Sequence, residues 1–356
     1  MKKLGLIVAF WLALVSQPFA QQGVVGFGSF VLLPNSPIID LNFVSNQYLG
    51  GGPSGLTNTR STTATDLIYT DPAGYSYNTY AAGVSVIRPG KGLLVFEART
   101  NFLLNSAAPA TQTTGTLANG TYVLWVNGSG SATMSSGTAT GCGTGVSTQG
   151  NPLTFTLTGT TGTCVVTVAG SLNAFQLELS SAGSTPTSFI VTTGTTATRN
   201  ADVISLTAPP AFGSAYSIYG QGLPFAPITY TLAQTLISID DGTTANRAYL
   251  VRVATTAISS AGLFSGGVQG MNSVGLAWGQ NTLSKFAAAF TAGAQNSAFA
   301  GNLLGAASGA SLPVSPTTFH IGCRAVGDQI WNGIITRIAY YSSALNTTQL
   351  ASVTAP

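Results

Sequence analysis

The side chains able to do acid–base or metal chemistry are few. Nine carboxylates, Asp40, Asp66, Asp71, Glu97, Glu178, Asp202, Asp240, Asp241 and Asp328, stand beside one histidine, His320, and three cysteines in 356 residues. Retaining glycoside hydrolysis needs two carboxylates about 5 Å apart, and no string here sets alternate acids along one strand face. One histidine and three cysteines do not make a His-rich zinc centre. His320 precedes Ile321 and Gly322 in an expected strand, where a hydrogen-bonded structural imidazole is favoured over a general base. Asp240-Asp241-Gly242 offers the hard oxygen ligands that Ca2+ takes, or else an Asp-Gly hairpin turn that needs no ion. The inventory points to a protein that is not an enzyme. An exported polysaccharide hydrolase is the alternative, and it requires an acid pair that the sequence does not display.

Binding needs fewer special groups than catalysis. A sugar ring presents C–H faces and hydroxyls together, so a β-protein recognises it with aromatic rings and short polar side chains. Trp125, Trp278 and Trp331 are the tryptophans beyond the N-terminal segment. Each serves either as core or as a platform, because indole buries a large apolar area. Trp331 with Asn332, Trp278, and the pair Asn246 and Arg247 beside the Asp240 loop are the candidate carbohydrate-binding residues. Asp240 and Asp241 are the candidate ligands for Ca2+, and no other cofactor is expected.

These residues must be positioned by strands. Charged residues make up only 6% of the chain, against roughly 25% in an ordinary soluble domain. Runs such as Thr154-Phe155-Thr156-Leu157-Thr158, Val165-Val166-Thr167-Val168 and Thr336-Arg337-Ile338-Ala339-Tyr340 alternate or are β-branched, as half-buried strands do. Asn119-Gly120, Asn127-Gly128, Asp241-Gly242 and Asn332-Gly333 supply turns between them. Helical periodicity is confined to Ala344–Ser352. The fold class is all-β, with two β-sandwich (jelly-roll) domains after an N-terminal signal-like segment. Shifts in composition divide the chain into 1–20, a signal peptide; 21–105, an N-terminal β segment; 106–205, a Thr/Gly-rich sandwich; and 214–356, a second sandwich, with Pro209-Pro210 between the last two.

Lys2 and Lys3 precede the apolar run Leu4–Val15, and Ala20 offers a small residue before the expected cut. Removing residues 1–20 leaves ten basic against nine acidic groups, so no electrostatic case for nucleic acid exists. Cys142 and Cys164 flank an expected strand-turn-strand unit and suit a disulfide in an oxidising compartment, with Cys323 left over as a buried thiol. Localisation is therefore exported.

Ordered motifs in three parts of the chain, residues 60–65, 92–106 and 175–203, carry a family resemblance. Gly92-Leu93-Leu94-Val95-Phe96-Glu97-Ala98-Arg99-Thr100-Asn101-Phe102-Leu103-Leu104-Asn105-Ser106 follows Arg60-Ser61-Thr62-Thr63-Ala64-Thr65. Phe175-Gln176-Leu177-Glu178-Leu179, Pro186-Thr187-Ser188-Phe189-Ile190 and Thr198-Arg199-Asn200-Ala201-Asp202-Val203 come later. Together they resemble a segment of bacteriophage tail and other virion structural proteins that carry a carbohydrate-binding-module-like jelly roll. Ile237–Arg247, Phe319–Gly322 and Trp331–Tyr341 resemble a concanavalin A-like lectin/glucanase (laminin-G-like) sandwich. The glucanases of that fold carry a Glu-x-Asp-x-x-Glu strand, which this chain lacks. The resemblance implies a tail or fibre component that adheres to a cell-surface glycan, with other virion or surface-assembly proteins as neighbours and a homotrimeric assembly. A purely structural role in such an assembly is the other implication. Arg99 with Glu97, and Arg199 with Asp202, are expected to pair within the sandwich rather than to meet a ligand.

Overall fold

Alternation of threonine with apolar residues builds the first sandwich. In Leu153–Leu157 the threonines face solvent while Phe155 and Leu157 are buried, as a strand with one wetted face requires. The computed structural model describes residues 36–180, 186–309 and 311–356, all within one compact unit. The signal-like segment 1–20 lies outside the described residues. Among them the chain is nearly all β, in several antiparallel sheets.

The first sandwich faces a three-stranded sheet, Leu153–Leu157, Gly120–Gly128 and Leu172–Ser180, with a four-stranded one, Val146–Thr148, Ser131–Ser136, Cys164–Ala169 and Gln112–Thr113. Leu124, Val126, Met134, Val166, Phe175 and Leu177 fill the space between them. Cys142 is bonded to Cys164 across 22 residues, with Cα atoms 5.7 Å apart, as the sequence leads one to expect. Replacing both cysteines by serine is expected to cost about 3 kcal/mol through the unfolded chain. A guanidinium midpoint that stays where it was, with and without reductant, contradicts that expectation. Cys323 is buried, and burial pushes its thiol up to about 12.

The second sandwich is larger. Its seven-stranded sheet runs Val268–Ala277, Ile258–Ser265, Arg247–Arg252, Gln234–Asp240, Thr318–Ile321, Ile204–Leu206 and Leu56–Asn58. The opposing ten-stranded sheet is centred on Gly333–Tyr341 and Ala215–Pro224.

The stretch 21–105, expected as a segment of its own, is woven into this second body. Ile39–Asn42 pairs with one part of Gly333–Tyr341, and Gly92–Val95 pairs with another. Leu56–Asn58 closes the edge of the seven-stranded sheet beside Ile204–Leu206, a strand that begins at the end of the stretch assigned to the first sandwich. The reason is burial: Ile39, Leu41, Leu93, Val95 and Ile204 lie in the same core as Ile237, Leu250 and Ile338. The Asp40 carboxylate ties this arrangement to Arg337, whose Nε donates at 2.7 Å.

A separate apolar cluster joins the two sandwiches. Val123 and Trp125, on the outer face of the Gly120–Gly128 strand, meet Leu94, Phe96, Phe225 and Ile334. The helix expected over 344–352 forms at Thr347–Thr354. Asn346 and Gln349 close a capping box at its start, which sets the later boundary.

Candidate ligand-binding site

Three of the sequence candidates belong to the core. Trp278 and Trp331 are fully buried, their ring centroids 4.9 Å apart, and their indole N–H groups donate to the carbonyls of Thr282 and Ile334. Neither presents a ring face to a sugar. Asn332 is fully buried as well. Its Oδ1 accepts from the Glu97 backbone at 2.9 Å and its Nδ2 donates to the Tyr230 hydroxyl at 2.8 Å. It is a tie between the chain's two halves. Local sequence could not separate these from surface residues, because Trp-Asn-Gly reads equally well as an exposed turn.

The Asp240 loop is self-satisfied. Asp240 is buried; its Oδ2 accepts from Ser238 Oγ at 2.8 Å and lies 2.9 Å from His320 Nδ1, while its Oδ1 accepts from the Gly242 backbone. Asp241 accepts from the Thr243 amide and hydroxyl and from Asn246 Nδ2, and the Thr243 hydroxyl is the main reason its carboxyl sits below the usual range. Asn246 Oδ1 in turn accepts from the Gly266 amide at 2.8 Å. The two aspartates expected as Ca2+ ligands and the asparagine expected on a sugar therefore brace a turn, with Gly242 at φ +84°. Among the described residues, no three His, Cys, Asp or Glu side chains gather in a way that could hold a metal. Ser238, Asp240 and His320 share one face, yet the serine hydroxyl donates to the aspartate. Activation of a nucleophile requires it to donate to the imidazole.

The two glutamates are also engaged. Arg99 pairs with Glu97, and its Nε lies 3.9 Å from Glu178 Oε2. Glu178 accepts from Trp125 Nε1 at 3.0 Å and from the Thr187 amide and hydroxyl. Burial raises the Glu97 carboxyl above its ordinary range, against the pull of Arg99. Arg199 donates to Asp202 at 3.1 Å. Both arginine–carboxylate pairs expected from the sequence are present.

Of the sequence candidates, Arg247 opens onto a cavity. Antiparallel register sets Asp240, Arg247 and Phe264 side by side, and sets Ser238, Tyr249 and Gly262 in the next row on the same outer face of the seven-stranded sheet. The Arg247 guanidinium lies 4.0 Å from the Phe264 ring centroid and 5.4 Å from that of Tyr249, close enough for cation–π attraction. A Cβ at Gly262 would meet the Tyr249 hydroxyl at 2.6 Å, so the missing side chain is what lets the phenol lie across that strand. Arg247, Tyr249, Phe264, Gln269, Arg324 and Gln329 line a hollow of about 160 Å³. That is below the roughly 300–1,000 Å³ of sites for drug-sized ligands and suits one small ring. Arg324 is held at the rim by Asp328, its Nε donating at 2.7 Å.

A second hollow, about 450 Å³, is lined by Val44, Leu223, Phe225, Leu283 and Ile334 with Lys91 and Asn281. It is larger and mostly apolar, with Lys91 as the one charged side chain of its lining and Asn281 Nδ2 given to the Tyr69 hydroxyl. The first hollow is the better site because rings and hydrogen-bonding groups converge there. Tyr249, Phe264, Gln269, Arg324 and Gln329 escaped the sequence reading. The alternation of Arg247, Tyr249 and Val251 was a usable signal for one face, but its neighbours come from other strands and from the turn after Ile321.

No family model matches the chain, and no curated protein matches it in sequence. Solved structures do align with part of it. One is the CBM40 of the IT-sialidase of Ruminococcus gnavus bound to α2,3-sialyllactose, with 13% identity over 41% of this chain and 84% of that one, and a TM-score of 0.34. Another is domain 4 of AbnA, an extracellular arabinanase of Geobacillus stearothermophilus, in complex with arabinotriose, with 15% identity over 43% and 73% and a TM-score of 0.35. A third is the leech intramolecular trans-sialidase, with 15% identity over 40% of this chain but 23% of that one, and a TM-score of 0.33.

Proposed function

We propose that this is an exported, non-enzymatic glycan-binding protein, serving adhesion to a host or cell surface in the manner of the phage tail and fibre proteins that its motifs resemble. The observation that carries the reading is the hollow on the outer sheet face, where the half-buried Phe264 ring and the mostly buried Tyr249 ring, 9% exposed, stand beside the Arg247 guanidinium and the Gln269 and Gln329 amides. Rings match the C–H face of a sugar, while guanidinium and amide groups match its hydroxyls. The Cys142–Cys164 bond supports export, because such bonds persist in oxidising compartments. The engagement of the carboxylates supports binding without hydrolysis. Asp66 accepts from Asn78 and Tyr75, Asp71 pairs with Arg88, and the other seven are held as described above.

A glycan array probed with the full chain and with Tyr249→Ala tests the proposal. Selective binding by the native protein, falling about tenfold on loss of the ring, is expected; about 1.4 kcal/mol corresponds to that factor. A folded protein that binds no glycan overturns the reading in favour of a purely structural component.

A further inference from the structure

Resting on that reading of the hollow, we infer that the sugar it takes is an acidic one, whose carboxylate is received by the guanidinium of Arg247. Every other arginine of the chain has a side-chain partner, although the buried Nε of Arg99 and of Arg199 makes no hydrogen bond. Arg60, Arg88, Arg99, Arg199, Arg324 and Arg337 each pair with a carboxylate. Arg252 has none, but it donates to the carbonyls of Trp278 and Pro227 and to Gln234 Oε1. Arg247 donates from Nη1 to the Thr244 carbonyl, and among the described residues it forms no ion pair.

The nearest acid in register cannot serve it. Asp240 sits opposite Arg247 in the sheet, yet its oxygens are taken by Ser238, His320 and the Gly242 amide. Arg324, the other cation of the hollow, is neutralised by Asp328 at the rim. A half-buried guanidinium held against two rings, with no carboxylate partner among the described residues, carries a charge that the protein itself leaves unneutralised. Burial, followed by the nearby Arg324, holds its proton less firmly than usual. An incoming carboxylate neutralises that charge and accepts two parallel hydrogen bonds from the planar fork. The small hollow leaves room for the ring that carries the carboxylate and not for an extended chain.

The test is calorimetric titration of the full chain with the methyl glycosides of glucuronic, galacturonic and N-acetylneuraminic acid, each beside its carboxamide, and with galactose 6-sulfate. At least one acid is expected to bind ten or more times tighter than its amide, with an affinity that weakens as salt rises. Arg247→Gln should bring that ratio close to one, and Arg247→Lys should keep part of it, because it retains the charge and loses the fork. Thermal melts of both variants show whether they are folded. Equal affinity for acid and amide overturns the inference while leaving glycan binding intact. Preference for the sulfate over every carboxylate overturns the assignment of a carboxylate. Binding to neutral array glycans alone overturns it as well, whereas no binding to any glycan removes the underlying reading.

Discussion

Asp202→Asn is expected to lower the stability of the fold by about 3–5 kcal/mol, the cost of leaving buried charges without their partner. Asp202 is wholly buried and accepts from four donors. Arg60 Nη1 and Asn58 Nδ2 (3.0 Å) reach Oδ1, while Arg199 Nη1 (3.1 Å) and the Phe96 amide (3.0 Å) reach Oδ2. An asparagine there turns one acceptor into a donor facing donors and removes the charge that offsets two fully buried guanidiniums. The donors come from the end of Leu56–Asn58 and from Arg60 just after it, from the Gly92–Ser106 motif and from the Thr198–Val203 motif, so the loss is felt across stretches far apart in the chain. Denaturant unfolding of this variant beside Asp328→Asn, whose carboxylate is 45% exposed and paired with Arg324, separates the cases. The second change is expected to cost about 0–1 kcal/mol. Equal losses in the two variants contradict this account of the buried node.

Trp331→Ala is expected to cost about 3–5 kcal/mol, since removing a fully buried indole leaves a cavity that its surroundings fill only in part. Trp278 packs against one side of it, and Gly222 lies so close on another that a Cβ there would stand 2.7 Å from the ring. The same substitution distinguishes core from platform. If Trp331 is core, the protein that remains folded at low temperature binds its glycan as the native chain does, and only the melting temperature moves. A variant that melts like the native protein yet binds nothing would place Trp331 in the ligand site and contradict its burial.

What could be read from the chain divides along the range of the interactions involved. The sandwich class was legible in the Thr/apolar alternation of Leu153–Leu157, because period two is a local property of a half-buried strand. The Cys142–Cys164 bond and the Arg199–Asp202 pair were legible too, each lying within a short stretch. The place of Ile39–Asn42 was not, because its partner strand, Gly333–Tyr341, lies at the other end of the chain and nothing in four residues names it. The hollow around Arg247 was half legible. Arg247 was marked by its place beside a turn, whereas Tyr249, Phe264, Gln269 and Arg324 meet it only through sheet register and a distant loop. Trp331 was left between core and platform because an indole beside Asn-Gly carries no local mark of which side of the sheet it faces.

We propose that a glycan binds on the outer face of the seven-stranded sheet, around Arg247, Tyr249 and Phe264. A crystal structure of the full chain with the best-binding glycan from the array tests it most directly. The account predicts a sugar ring against Tyr249 and Phe264, with polar groups within hydrogen-bonding distance of Arg247 and Gln269. A sugar seated in the apolar hollow near Phe225 and Leu283, with the Arg247 hollow empty, would contradict it.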